Sequence, residues 1–305
     1  MTRPAATFRS FQAMGTRFEC VLGGFVRPVD SAEASAIAEA IEELVLDEHR
    51  RLSIFDPNSC ISEVNRTART RPILLDPDLF ELLQRCLGYA FETQSAFDIT
   101  AGSLMHAYGF RRNTAALTSQ QPSRPFVLDP KQKTIHFQSD STSLDLGGVA
   151  KGYALDLVLK ELTEHGVINA LIHGGTSSAT SIGCAPDGEP WRVRLFSDDP
   201  LSPTIELVDR SLACSSSRGR TADGHGHIMN TRTGQPAAGV DAACVLGASA
   251  ETCEAWSTAL VVDAQLARLL PVGYEAHVLI AGQWHFHQDP SVTTMNPRNE
   301  TLTHA

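Results

Sequence analysis

Residues Leu144–Tyr153 read LDLGGVAKGY. An apolar run carrying one carboxylate, Asp145, gives way through the Gly147-Gly148 pair to a helical pattern in which Ala154, Leu157, Val158 and Leu162 recur on one face. The helix is expected to stop near Gly166, because glycine closes a helix in the left-handed conformation at little steric cost. The glycine pair lets a ligand approach the backbone, the helix start offers free N–H groups and a positive dipole end, and Lys151 adds a point charge. These are the properties of a phosphate site. The stretch is neither a P-loop, which needs GxxxxGK followed by Ser or Thr, nor the GxGxxG of a dinucleotide fold. A tight strand-to-helix turn with a solvated lysine remains the plainer alternative on these residues alone.

Upstream, RFECVL alternates Phe18, Cys20 and Leu22 with polar positions, the period of a half-buried strand. Asp30 followed by Glu33 caps a helix that Ile37, Ile41, Leu44 and Val45 carry to about Leu52. Leu79, Leu82, Leu83, Cys86 and Ala90 share a face of a second helix from Asp78 to about Thr93. Residues 111–130, rich in Pro, Ser and Gln, read as a surface loop. Downstream, TIHFQ, INALIHGG, WRVRLF, TIELVD, AACVLG and AHVLIAG read as strands, and a helix is expected from about Glu251 to Leu270. The tail after Gln288 is expected to fray. Strands flank a few long helices without a regular βαβ repeat, so the fold class is α+β.

The chain has 305 residues, 42% hydrophobic and 20% charged, an ordinary globular composition. Its formal charge of -10 gives no basic footprint for nucleic acid. Seven cysteines form an odd set without a CxxC, which suggests neither a disulfide framework nor a zinc knuckle. No signal-like stretch opens the chain and no segment approaches the ~18 apolar residues of a membrane span, so a reducing, cytoplasmic setting is expected.

Two further segments carry chemistry. GHGHIMNTRTGQP, residues 224–236, sets His225 and His227 on one side of an extended segment. They read as surface histidines, as a partial zinc site lacking a third ligand, or as a source of one general base. ETCEAWSTALVV, residues 251–262, sets Glu254 and Thr258 one helical turn apart, able to offer a carboxylate and a hydroxyl to a hard cation or to stay solvated.

Taken in order, AMGT, SIFDPNSCISEVN, SAFDITAGSL, LDLGGVAKGYALD, ALIHGGTSSATSIG, LACSSS, HGHIMNTRTGQP and ETCEAWSTALVV resemble the successive motifs of the ApbE family, the FAD:protein FMN transferases. The resemblance covers Met14 to about Val262. It implies an ApbE-like, T-fold-like architecture of mixed sheets with flanking helices, arranged as a single domain over 14–288 between an N-terminal arm (1–13) and a C-terminal tail (289–305). It also implies an Mg²⁺-dependent enzyme that splits FAD at its pyrophosphate, releases AMP and attaches FMN through a phosphoester to a Thr or Ser of an acceptor flavoprotein.

By that resemblance Met14, Phe55, Ala96, Phe97, Asp98, Asp145, Lys151 and Ile228 contact FAD. Gly148 (through its carbonyl), Glu254 and Thr258 hold Mg²⁺, and His227 is the base that takes the acceptor hydroxyl proton. Five positions depart from the family pattern: Glu254 stands for an Asp, Asn230-Thr231 for Asp-Pro, Ser216 for a turn glycine and Thr176 for a common Asn. An FAD-binding carrier, sensor or assembly factor with little transfer activity is the alternative these departures raise.

Overall fold

The structure, a computed structural model, describes residues 6–110, 125–195, 202–217, 219, 221–222 and 225–288. Eight strands, β1 (Thr7–Ala13), β2 (Thr16–Phe25), β3 (Val167–Gly174), β4 (Ser178–Ile182), β5 (Ser211–Ser216), β6 (Ala242–Gly247), β7 (Glu275–Ile280) and β8 (Gln283–Gln288), form one sheet whose spatial order is the chain order. Every neighbouring pair in it is antiparallel. Antiparallel neighbours need only short turns, so the helices enter as excursions. Between β2 and β3 lie α1 (Ser31–Leu52), α2 (Cys60–Thr67), α3 (Pro77–Glu92), α4 (Gly102–Ala107) and α5 (Ala150–Glu164), together with a small sheet of Ile73–Leu74, Thr134–Phe137 and Phe126–Asp129. Between β6 and β7 lies α6 (Ala250–Val262).

The period of two along a strand builds the layers. In β6 every residue is buried: Ala243 and Val245 join the cluster of Ala255, Trp256, Ala259 and Leu260 from α6, while Cys244 and Leu246 face Trp191, Ile205 and Leu207. Those last three belong to a hairpin of Trp191–Arg194 and Thr204–Leu207 that covers the outer face. Helix α6, apolar almost all round, is buried accordingly. On the inner face of β1–β3, Phe11, Phe18, Cys20 and Ile172 pack with Ile37, Ile41 and Val45 of α1 and Val158 and Leu162 of α5.

Helix α1 starts as its sequence indicates, with the Asp30 side chain accepting from the Glu33 N–H and the helix ending at Leu52. Helix α5 is followed by Gly166 at φ +70°. Three local expectations change. Phe126–Asp129, inside the stretch read as loop, is a strand that pairs with Thr134–Phe137, while 111–124 lie outside the described residues. The helix expected to reach Leu270 ends at Val262, where Asp263 accepts from the Gln265 N–H and starts a separate 3-10 turn, Ala264–Leu269. Residues 7–13, read as part of an arm, pair along β2 as the first strand of the sheet. The tail after Gln288 lies outside the described residues.

Candidate active site

The sheet register collects several motifs at one end. Met14 and Gly15, both at positive φ (50° and 74°), make the two-residue turn between Ala13 and Thr16, a hairpin connection of the twist strands favour. Gly174 pairs with Phe18 on one side and Ser178 on the other, Ser178 pairs with Ala213, and Ser216 pairs with Ala242. The AMGT turn, the Gly174-Gly175 turn and the CSSS segment are thereby neighbours.

Helices α5 and α6 meet at this end through a close backbone approach. A β-carbon on Gly152 would lie 2.3 Å from the carbonyl oxygen of Ala250, so only glycine admits the crossing. Asp156 fixes the register: its Oδ1 accepts from the Ala250 N–H (2.7 Å), and its Oδ2 accepts from Ser249 Oγ (2.7 Å) and the Glu251 N–H (3.0 Å). A carboxylate at a helix N-terminus satisfies donors that have no partner within the helix. Burial nevertheless raises the Asp156 pKa, the three hydrogen bonds opposing it. Glu251 anchors the same helix end to α3 through a two-pronged pair with Arg85, both contacts 2.8 Å.

With that register, Lys151 on α5 faces Glu254 on α6. Lys151 Nζ lies 2.9 Å from Oε1 and 3.1 Å from Oε2 of Glu254, and Ser178 Oγ donates to Oε1 from β4. Glu254 is 5% exposed, so the solvated carboxylate allowed by its sequence is replaced by a buried one held by an ammonium and a hydroxyl.

One turn along α6, Thr258 faces the glycine pair: a β-carbon on Gly148 would stand 3.6 Å from Thr258 Oγ1 and 3.5 Å from Phe97 Cε2. Thr258 belongs to a chain of hydroxyls. Ser215 Oγ is 3.2 Å from Thr258 Oγ1 and 2.9 Å from Ser257 Oγ, and Ser257 donates to the Glu254 carbonyl (3.1 Å). Each hydroxyl has one proton. Ser257 spends its own on the carbonyl and accepts from Ser215, so Thr258 donates to Ser215 and its lone pairs are left to face the glycine turn. Glu254, Thr258 and the Gly148 backbone supply oxygen donors only, which suits Mg²⁺, an ion that takes one or two carboxylates and leaves positions for water and phosphate. Among the described residues no group of three or more His, Cys, Asp or Glu could hold a metal.

The Ala96-Phe97-Asp98 turn reaches the glycine pair through Phe97. Thr93 Oγ1 accepts from the Phe97 N–H (3.1 Å), Phe97 meets Tyr89 edge-on at 6.1 Å, and Gln94 and Ser95 sit at positive φ. Asp98 accepts from the N–H and Oγ1 of Thr100 (2.8 and 2.7 Å), and burial raises its pKa. The Asp145 N–H donates to Ile99 O (2.7 Å) and its Oδ1 accepts from the Gly147 N–H (2.8 Å), so this carboxylate shapes the glycine turn. Asn65 of α2 clamps both backbone groups of Leu144, accepting from its N–H (2.7 Å) and donating to its carbonyl (2.9 Å).

His227 lies beside Phe110, ring centroids 6.5 Å apart. Ile228 is buried in the cluster that holds Ala96 and Phe97 and that Met14 borders, and Thr231 Oγ1 donates to Ser95 O (2.9 Å), tying the histidine segment to the 93–98 turn. Asn230 closes its own turn by accepting from the Arg232 N–H (3.1 Å), and Ser216 donates to Asp241 O (3.1 Å). The His225 side chain lies outside the described residues. Phe55 is set apart: it is 67% exposed in the turn between α1 and α2 and is not part of the cluster of Ala96, Phe97 and Ile228. Asp156, Ser178, Ser215, Ser257 and Asn65 escape the sequence reading. All five stand inside quoted motifs, but each meets a partner distant in sequence.

The fold and this arrangement define a protein with an ammonium, a buried carboxylate and an oriented hydroxyl around a glycine turn. The ApbE family model matches residues 14–271, and the chain belongs to the ApbE family. An FAD:protein FMN transferase of Klebsiella pneumoniae (strain 342) is 24% identical over 281 residues, covering 84% of this chain and 78% of that protein. That of Rhodobacter capsulatus is 26% identical over 280 residues, 86% of this chain and 52% of its own length, so the chain spans about half of that relative. Among solved structures, the ApbE protein of Thermotoga maritima superposes with a TM-score of 0.81 at 24% identity, covering 94% of this chain and 98% of that one. The flavin transferase ApbE of Vibrio cholerae gives 0.80 at 20% identity with the same coverage. No helix among the described residues is long and apolar enough to cross a membrane.

Proposed function

We propose that this chain is an Mg²⁺-dependent FAD:protein FMN transferase. The observation that carries the reading is the Lys151–Glu254 pair beside the Gly148–Thr258 approach, which places a cation and oriented oxygens around a turn suited to phosphate. Its family membership supports the same reading, as do relatives named for the activity.

In this reading the turn at Gly147-Gly148 and Lys151 receive the FAD pyrophosphate, and the turn of Ala96, Phe97 and Asp98, with Met14 and Ile228, receives the rest of the flavin nucleotide. Bound through Gly148, Glu254 and Thr258, Mg²⁺ supplies charge neutralisation for phosphoryl transfer. His227 takes the proton of an acceptor Thr or Ser hydroxyl, whose oxygen attacks the phosphorus of the FMN half as the bond to AMP breaks.

Incubating the protein with FAD and Mg²⁺ and following AMP release, with and without a flavoprotein acceptor bearing a Thr or Ser site, tests the reading. AMP release that needs both FAD and Mg²⁺ is expected, and its absence with every acceptor overturns it. FAD is also expected to bind more tightly than riboflavin, a preference lost in Lys151→Ala. One observation favours a second reading, an FAD-binding carrier or assembly factor: Glu254 already has Lys151 and Ser178 as partners. Under that reading FAD binds equally well with and without Mg²⁺, and no AMP appears.

A further inference from the structure

On the outer face of the sheet, Cys214 of β5 stands directly opposite Cys244 of β6. The Cys214 N–H is directed the other way, to Ser177 O (2.7 Å). In an antiparallel ladder a residue points its N–H and C=O to the same side, so Cys214 and Cys244 form a non-hydrogen-bonded pair. Such pairs bring Cα atoms to about 4.5 Å, within the roughly 4.4–6.8 Å that a disulfide spans. Both thiols are free and face the same apolar cluster as Trp191, Leu207 and Leu246. The two differ in access: Cys244 is wholly buried, and Cys214 is only partly so. His277 is next in the row opposite Cys244, yet these groups make no metal-holding cluster among the described residues.

We propose that Cys214 and Cys244 are an oxidative modification site, closing to a reversible cross-strand disulfide. Cys214, the accessible sulfur, attacks a low-molecular-weight disulfide such as oxidised glutathione and releases one glutathione thiol. Cys244 then attacks the mixed disulfide at Cys214, forming the protein S–S bond and releasing the second thiol. The protein loses two protons and two electrons, and the small disulfide gains them. Burial and the hydrogen bond to Cys214 push the Cys244 thiol up, so Cys244 keeps its proton until the second step and acts as the resolving partner. The bond would close residues 215–243, which carry His227 and Ile228, into a loop stapled at its root on the sheet. This site does not depend on the flavin reading.

The test treats the full-length protein with oxidised glutathione and maps its peptides without reduction. A Cys214–Cys244 cross-linked peptide, an intact mass lower by two hydrogens and recovery of both thiols with dithiothreitol are expected, and a Cys60→Ser, Cys184→Ser variant should behave identically. A stable glutathione adduct on Cys214 with Cys244 still free, a cross-link between other cysteines, or no reaction at either residue would overturn the proposal.

Discussion

Lys151 and Glu254, separated by 103 positions in sequence, meet at 2.9 Å across the crossing of α5 and α6. Ser178 on β4 donates to the same Oε1 that Lys151 approaches. Glu254→Asp shortens the side chain by one methylene and withdraws the group from both partners. The expected result is lower AMP release and a higher Mg²⁺ requirement, read from turnover against Mg²⁺ concentration. Identical curves for both forms would remove Glu254 from the metal site.

Ser215 orients Thr258 through its hydroxyl proton, so Ser215→Ala should weaken Mn²⁺ binding, followed by electron paramagnetic resonance in the presence of FAD. The loss should be roughly tenfold or greater, the usual effect of losing a partner behind a metal ligand. Ser215→Thr restores a hydroxyl and should recover most of the affinity. Equal weakening in both variants would point to packing instead.

His227→Ala is expected to slow AMP release by roughly 10²- to 10⁴-fold while FAD affinity changes little, because a general base acts chiefly on the transition state. Isothermal calorimetry and single-turnover rates separate the two effects. A large loss of FAD affinity with an unchanged rate constant would make His227 a binding residue.

Asp156→Asn tests the register of α5 against α6. Asp156 accepts three hydrogen bonds through its two oxygens, and an amide puts an NH2 donor in place of one of them. A loss of about 1–3 kcal/mol in urea unfolding is expected from the groups left unpaired. An unchanged midpoint would show that Gly152 packing alone sets the crossing.

Asp98 gives a pH dependence. Burial raises its pKa against the opposing hydrogen bonds from Thr100, so the folded state holds this proton more tightly than the unfolded chain, whose aspartates titrate near about 3.9. The stability it contributes is complete below that value and is lost as pH rises through the folded-state pKa. Asp98→Asn keeps an acceptor for Thr100 and cannot ionise. In the flavin-free protein, its stability relative to the natural chain should therefore improve as pH is raised from about 4 toward neutrality, measured by urea unfolding at each pH. A difference independent of pH would contradict this assignment.

Much of the local order that depends on neighbours along the chain was legible in the sequence, though not the Asp263 cap that ends α6 at Val262. The Asp30 cap, the apolar stripe of Leu79, Leu82, Leu83 and Cys86, and the stop at Gly166 follow from side-chain spacing and backbone sterics within a few residues. The order of motifs likewise carried the family and the list of candidate site residues. Tertiary structure alone decided which of them meet. Sheet pairing brings Ser178 and Ser215 to α6, and Asp156 with Gly152 sets the helix crossing that delivers Lys151 to Glu254. Hydrogen bonds and close packing act over a few ångströms in space, whatever the separation along the chain. A buried Glu254 and a solvated one therefore share the same local sequence, and only the fold excludes the second.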